Sequence, residues 1–137
     1  MTGGGKSRVL KLMALQEKAR IAGTLADMRE VVRQKDEAER IVERLREALA
    51  RNGGTPGVRL ASEIMAERAM AAQIVTEAER HRLRQEALAA RMAEEQAKLA
   101  RQEHRHQTLV DKAKGARRSE AEEKLALRDA AMPPRRR

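Results

Sequence analysis

The chain has 137 residues, no cysteine, no aromatic residue and a formal net charge of +9. Leucine, isoleucine and valine together number 24, too few to fill the core of a globular domain. The lack of cysteine excludes disulfides and thiolate metal sites, and no apolar run approaches the roughly 20 residues of a membrane span. The abundance of Ala, Leu, Glu, Lys and Arg favours an all-α fold, with one coiled-coil domain over residues 1–137.

The letters GGGKS at positions 3–7 look like the end of a phosphate-binding loop. That motif needs an earlier glycine, which would here precede Met1, and a strand that enters the loop. We therefore expect a flexible leader over residues 1–6 and no bound nucleotide or other cofactor.

The first helix is predicted over residues 7–51. Its apolar residues recur at alternating spacings of four and three, the pattern of a coiled-coil seam. The stripe drifts slightly, because the polar positions Glu39 and Arg46 each follow an apolar residue, Ala38 and Leu45. The predicted seam of this helix is Ile21, Leu25, Met28, Val32, Lys35, Glu39, Val42, Arg46 and Leu49, extended toward the N-terminus by Leu10, Met13 and Ala14.

A turn is predicted at residues 52–57, NGGTPG. Asn52 and Gly53 suit a helix C-cap, Thr55 suits an N-cap, and Pro56 suits the first position of the next helix. A short turn between two long amphipathic segments predicts an antiparallel helical hairpin.

The second helix is predicted over residues 58–131, followed by a basic tail at 132–137. Around Gly115 and Ser119 two interpretations stay open: a kink at 115–119, or a continuous helix that tolerates the glycine. The seam positions are Leu60, Ile64, Glu67, Ala71, Ile74, Ala78, His81, Gln85, Leu88, Met92, Glu95, Leu99, Gln102, His106, Leu109, Ala113, Ala116, Glu120, Glu123 and Leu127.

A turn centred between Gly54 and Thr55 sets a register for the two helices. Residue i then faces residue 109 − i, so Ser7 lies near Gln102. Everything beyond about residue 105 would overhang by roughly 35–40 Å at the open end, with an apolar face lacking a partner.

The sequence offers no catalytic or metal site. His104 and His106 are rotated by about 200° on a helix and cannot reach one ion. A thin two-helix fold has no pocket that would shift the pKa values of an acid and a base, so we predict a protein that is not an enzyme.

The positive charge collects toward the two ends of the chain. Residues 104–137 carry 10 basic and 5 acidic side chains. Three interpretations stay open for this region: contact with an acidic protein surface, a solvated helix face, or contact with nucleic acid phosphates. Nucleic acid is the least favoured, because the chain lacks aromatic stacking residues.

Several stretches resemble the flagellar FliJ family and its counterparts in injectisome-type secretion. They are RVLKLMALQEKARIAG near the N-terminus, AERIVERLREAL before the turn, and EEKLALRDAAMPPRRR at the end, which includes Arg128, Ala130, Ala131 and Met132. The chain length and the longer second helix agree with that family. The chain departs from familiar members in having no aromatic residue near the turn or along helix 2.

The resemblance implies a cytoplasmic component of a flagellar type III protein export apparatus, associated peripherally with the inner membrane. Such a protein binds and stimulates a hexameric export ATPase, contacts a membrane export gate protein, and helps deliver export substrates or chaperones. We also expect a monomer with no small-molecule ligand. Mapped onto this chain, the candidates for contact with the ATPase ring are Lys112, Lys114, Arg117, Arg118, Leu125 and Arg128.

Near the turn, the resemblance makes Leu45 and Leu49 candidates for contact with another partner. The alternatives are a basic helical hairpin that binds nucleic acid, an injectisome-type secretion stalk protein, or a self-associating coiled coil.

Overall fold

A computed structural model describes residues 4–52 and 57–134. It contains two helices, α1 at Gly4–Arg51 and α2 at Ala61–Ala131, which pack against each other. No strand occurs among the described residues. The predicted all-α class is confirmed.

The two helices begin at residues other than those expected from sequence. Helix α1 starts three residues before Ser7, so Gly4 to Lys6 of the expected leader are helical. Helix α2 starts at Ala61, and Gly57 in the connection has a φ of +156°, a conformation that favours glycine. The predicted cap residues Gly53, Thr55 and Pro56 lie outside the described residues. Helix α2 is continuous through 115–119.

The chain divides into two compact units. The terminal unit combines residues 1–25 and 97–137, and the central unit comprises residues 26–96. Each unit therefore contains a segment of α1 and a segment of α2.

The predicted seam of α2 is confirmed over most of its length. In the central unit, every predicted position from Glu67 to Glu95 is buried or half-buried, and in the terminal unit the same holds from Leu99 to Glu120. The predicted positions at the two ends of the seam are exposed: Leu60, Ile64, Glu123 and Leu127. The apolar face of α2 was thus predicted correctly by its spacing, except at the ends, where no described part of α1 covers it.

The predicted seam of α1 is largely wrong. Of its nine positions from Ile21 to Leu49, six are exposed: Leu25, Val32, Lys35, Glu39, Arg46 and Leu49. Thr24 is 2% exposed whereas Leu25 is 42% exposed, and Val31 is fully buried whereas Val32 is 46% exposed. The positions facing α2 in the terminal unit are Ser7, Leu10, Ala14, Glu17, Ile21 and Thr24, which still alternate by three and four. Apolar spacing in the sequence favours Leu25 over Thr24 at the interface. A buried threonine hydroxyl is nevertheless stable there when it is hydrogen-bonded.

The predicted register and overhang are also wrong. In the terminal unit Ser7 bonds to Glu120, while Gln102, its expected neighbour, bonds to Thr24. Ala113 is only 5% exposed, so α2 is covered well beyond residue 105. Toward the C-terminus, the described residues of α2 are continuously exposed only from residue 121 onward.

The connection in the central unit explains part of the register error. A turn centred after Gly54 would bring Asn52 close to Gly57, but the Asn52 side-chain amide donates to the backbone carbonyl of Glu67 at 2.9 Å. Arg59 pairs with the carboxylate of Glu67. The first residues of α2, 61–66, therefore lie beyond the end of α1 and are exposed.

Exposed ion pairs stabilise α1 within the central unit. Arg33 donates two hydrogen bonds to Glu30 and one to Glu37. The hydrogen bonds from Arg33, helped by one from Gln34, lower the pKa of Glu30 to about 2. Opposite charges three and four residues apart on a helix surface support the helix.

We expect Val31→Ala to lower the free energy of unfolding by about 1–2 kcal/mol, because two buried methyl groups are lost. Val32→Ala is the matched control. It should be neutral or slightly stabilising, because Val32 is half exposed and alanine is the better helix former. Urea unfolding followed by circular dichroism measures both. A larger loss of unfolding free energy in Val32→Ala than in Val31→Ala would instead support the seam predicted from sequence.

We expect the Glu30 carboxyl to titrate well below its ordinary pKa of 4.5. Since the folded pKa is lowered, the charged group stabilises the fold above pH 4.5, and this contribution is lost as the pH falls toward 2. Carbon-detected NMR titration of the carboxyl measures the pKa, and Arg33→Gln should move it back upward. A midpoint near 4.5 in the native chain would contradict the observed pairing.

Candidate partner-binding surface

Polar contacts inside the interface hold α1 against α2 in the terminal unit. Three positions of α1 that face α2 are polar: Ser7, Glu17 and Thr24. Each bonds to a side chain of α2, and the partners are Glu120, Arg105 and Gln102. These contacts fix which part of the basic C-terminal segment lies beside α1.

Ser7 binds a carboxylate close to the start of α1. Its hydroxyl donates to Glu120 Oε2 at 2.7 Å and its backbone N–H donates to Oε1 at 3.0 Å. Helix N-termini attract anions because their N–H groups point outward and the helix dipole is positive there. The backbone N–H and the hydroxyl of Ser7, the last residue of GGGKS, thus both donate hydrogen bonds to a carboxylate of the same chain.

Glu17 is a carboxylate buried between two guanidinium groups. Its side chain is only 3% exposed, with Arg20 Nη1 2.9 Å from Oε2 and Arg105 Nε 3.2 Å from Oε1. Both arginines are more than half exposed, so their charges reach solvent while the carboxylate does not. A buried carboxylate with both oxygens paired avoids most of the desolvation penalty that an isolated one would suffer.

Thr24 and Gln102 form a buried polar pair across the interface. They are 2% and 3% exposed, and the Thr24 hydroxyl lies 2.7 Å from Gln102 Oε1. The same hydroxyl lies 3.2 Å from the Arg20 carbonyl one turn earlier in α1. A side-chain bond between two buried groups satisfies both only at one alignment of the helices.

The central unit has polar seam positions of another kind. His81 Nδ1 and Glu95 Oε2 are buried and have no hydrogen-bond partner among the described residues. The cross-helix polar pairing seen at Thr24 and Gln102 is therefore absent from these two positions.

The basic residues predicted from the family resemblance are separated into different surfaces. Lys114 and Arg117 line one groove between α1 and α2, of about 420 Å³. Lys112 lines two other grooves, together with Lys6 in one and Arg105 in the other. Arg118 is exposed and lines none of the three.

The last two candidates lie beyond the covered part of α2. Leu125 is 58% exposed and Arg128 is exposed, in a stretch where every residue from 121 to 134 is exposed. Leu127 and Met132 add further exposed apolar area. An apolar surface of this kind on a helix with no described neighbour is available to a partner.

Leu45 and Leu49, predicted near the turn, lie beside α2 in the central unit. Both line a concave region with Ile74, Val75 and Ala78. Leu45 is half-buried and Leu49 is 37% exposed. A substitution at Leu45 would disturb the helix packing in addition to any partner contact.

Two lysines of the 420 Å³ groove were missed in the sequence. Lys11 and Lys18 of α1 lie in it with Lys114 and Arg117. They are seven residues apart and each directly follows the seam position Leu10 or Glu17. A correct α1 seam would have predicted both lysines beside the interface. The apolar pattern alone predicted a different seam, so it did not indicate them.

Comparisons with protein families, curated proteins and solved structures found no match for this chain. Neither helix has a stretch within residues 4–52 and 57–134 that is apolar enough to cross a bilayer. In the same part of the chain, no group of three or more histidine or acidic side chains is arranged to hold a metal ion.

We expect Thr24→Val to destabilise the chain by about 1–3 kcal/mol, because it leaves the buried Gln102 amide without its partner. The double variant Thr24→Val, Gln102→Leu should recover most of that loss, since both polar groups are then removed. Urea unfolding of the single and double variants measures the coupling.

Thr76→Val is the matched control for this cycle. The Thr76 hydroxyl bonds to the Ala72 carbonyl of its own helix and is exposed, so the change should stay within about 0.5 kcal/mol. Equal losses in Thr24→Val and Thr76→Val would show that the cross-helix bond adds nothing.

Proposed function

We propose that this protein is a non-catalytic, FliJ-like component of a flagellar type III export apparatus. In this role it binds and stimulates a hexameric export ATPase and helps deliver substrates or chaperones to a membrane export gate protein. The support is the family resemblance of the three quoted sequence stretches, together with an all-helical fold of two long helices.

We further propose that the whole chain is an antiparallel coiled-coil hairpin with the longer helix second. In the terminal unit, the α2 partners fall in number from Glu120 to Gln102 as the α1 residues rise from Ser7 to Thr24. In the central unit, Asn52 meets Glu67. This order supports the hairpin, and the exposure of residues 121–131 supports an overhang of α2 there.

The observation that carries the ATPase contact is the exposed positive charge of the C-terminal segment. Lys112, Lys114, Arg117 and Arg118 are all exposed within one stretch of seven residues. Two of the carboxylates nearby are already hydrogen-bonded, Asp111 to Gln107 and Glu120 to Ser7. An uncompensated cluster of this kind steers an acidic protein surface toward it.

The contact with other partners is proposed for the end of the chain near the connection. There Val58, Leu60 and Met65 are each more than two thirds exposed, so their apolar area is free of described neighbours. They are better placed for such a contact than Leu45 and Leu49, which line the region between the helices.

Charge reversal tests the ATPase contact. The triple variant Lys114→Glu, Arg117→Glu, Arg118→Glu should raise the concentration of this protein needed for half-maximal stimulation of a purified export ATPase by roughly tenfold or more. Steady-state ATP hydrolysis, measured across a titration of the folded protein, gives that concentration.

The control reverses the same number of charges in the central unit, as Arg29→Glu, Arg40→Glu, Arg44→Glu. All three arginines are exposed, so the fold should persist and stimulation should be unchanged. Absence of stimulation by the native chain at stoichiometric excess would overturn the proposed function. Tight binding to RNA at about 150 mM salt, with a steep salt dependence, would replace it with a nucleic-acid role.

A further inference from the structure

We propose that the groove between α1 and α2 in the terminal unit binds an acidic amphipathic helix of another protein. The groove has an apolar floor and four cations around it, and it is lined by residues of both helices. It adds Lys11 and Lys18, which the family resemblance did not indicate, to a surface that recognises a partner.

The floor of the groove is made of small and partly exposed apolar side chains. Ala14 and Ala113 are 7% and 5% exposed, and their register agrees with the Ser7–Glu120 contact one heptad away. Since alanine fills little space, the two helices leave a depression above this pair. Leu15 and Val110 also line the groove, and Leu15 is 61% exposed. A partner with an apolar face would cover that area.

The charges around the floor are all positive. Lys11 and Lys18 come from α1, and Lys114 and Arg117 come from α2, with no carboxylate among the lining residues. Within residues 4–52 and 57–134, none of the ion pairs involves these four side chains. The positive potential is therefore uncompensated and favours an acidic occupant.

The carboxylates that could have neutralised the groove have other partners. Glu17 accepts from Arg20 and Arg105, and Glu120 accepts from Ser7. The contacts that set the helix register thus also occupy the carboxylates of Glu17 and Glu120.

The dimensions of the groove fit a helix. Lys11 and Lys18 are seven residues apart, which is about 10.5 Å or two turns along α1. A helix lying in a groove uses apolar residues at i, i+3 or i+4, and i+7, which also span two turns. Acidic residues on either side of that apolar stripe would then reach the four cations. A concave apolar floor favours this occupant over a flat bilayer, and the lack of aromatic residues disfavours nucleic acid.

This inference shares Lys114 and Arg117 with the proposed ATPase contact but rests on the groove and not on the export role. Binding of an acidic helix without any ATPase stimulation would leave the groove assigned and remove the export function. Stimulation that survives loss of helix binding would do the reverse.

The test uses the full chain and a designed probe. The probe is a fluorescein-labelled helical peptide of about 18 residues with leucines at i, i+4 and i+7 and glutamates beside them. Fluorescence anisotropy at about 100 mM salt should show saturable binding. A peptide with lysines in place of the glutamates should bind at least tenfold more weakly, because like charges would then face each other.

Two variants locate the probe. Lys18→Glu with Lys114→Glu should weaken binding at least tenfold, and Leu15→Ser should weaken it by a smaller factor through loss of apolar contact. The control is Lys98→Glu with Arg101→Glu, which changes the same charge at exposed positions of the terminal unit outside the groove. It should bind the probe as the native chain does.

Three results would overturn the inference. The first is equal binding by the groove variant and the control variant. The second is equal binding of the acidic and basic peptides. The third is loss of binding to vesicles of phosphatidylserine and phosphatidylcholine in the groove variant while peptide binding is retained, which would assign the surface to a membrane.

Discussion

Hydrogen bonds and ion pairs inside the helix interface decide which residues of α1 meet which residues of α2 in the terminal unit. A seam rich in alanine can shift by one heptad and still place apolar residues opposite apolar residues. The same shift would leave the carboxylate of Glu17 buried without Arg105 and would separate Thr24 from Gln102. Because an unpaired buried charge or amide is strongly unfavourable, these few polar contacts select one alignment where the apolar side chains do not.

The composition of the surface follows from that alignment. It buries two small residues, Ala14 and Ala113, at the interface, and their small size leaves a depression between the helices. It also brings Lys11 and Lys18 of α1 beside Lys114 and Arg117 of α2, two pairs of cations from opposite ends of the sequence. The proposed binding of acidic partners depends on this juxtaposition, and the proposed export role uses part of the same positive surface.

The exposed segments show where the interface between the helices stops. In the central unit, residues 61–66 extend past Asn52 and carry Ile64 and Met65 at the surface. In the terminal unit, residues 121–131 continue past the contact between Ser7 and Glu120. Each segment keeps exposed apolar side chains, and an apolar surface of this kind is available for contact with another molecule.

The sequence by itself determined the helical class and the face of α2 that is buried from Glu67 to Glu120, because helix propensity and apolar spacing are properties of one helix. It did not determine the α1 seam, because apolar spacing favours Leu25 over Thr24 at the interface. The hydrogen bond from Thr24 to Gln102 of the other helix cannot be predicted from that spacing. The register, the position of the overhang and the groove that includes Lys11 and Lys18 were decided by the tertiary structure alone. These three features depend on contacts between side chains of two different helices. The energy of such a contact depends on both partners and produces no periodic pattern in the sequence of either helix.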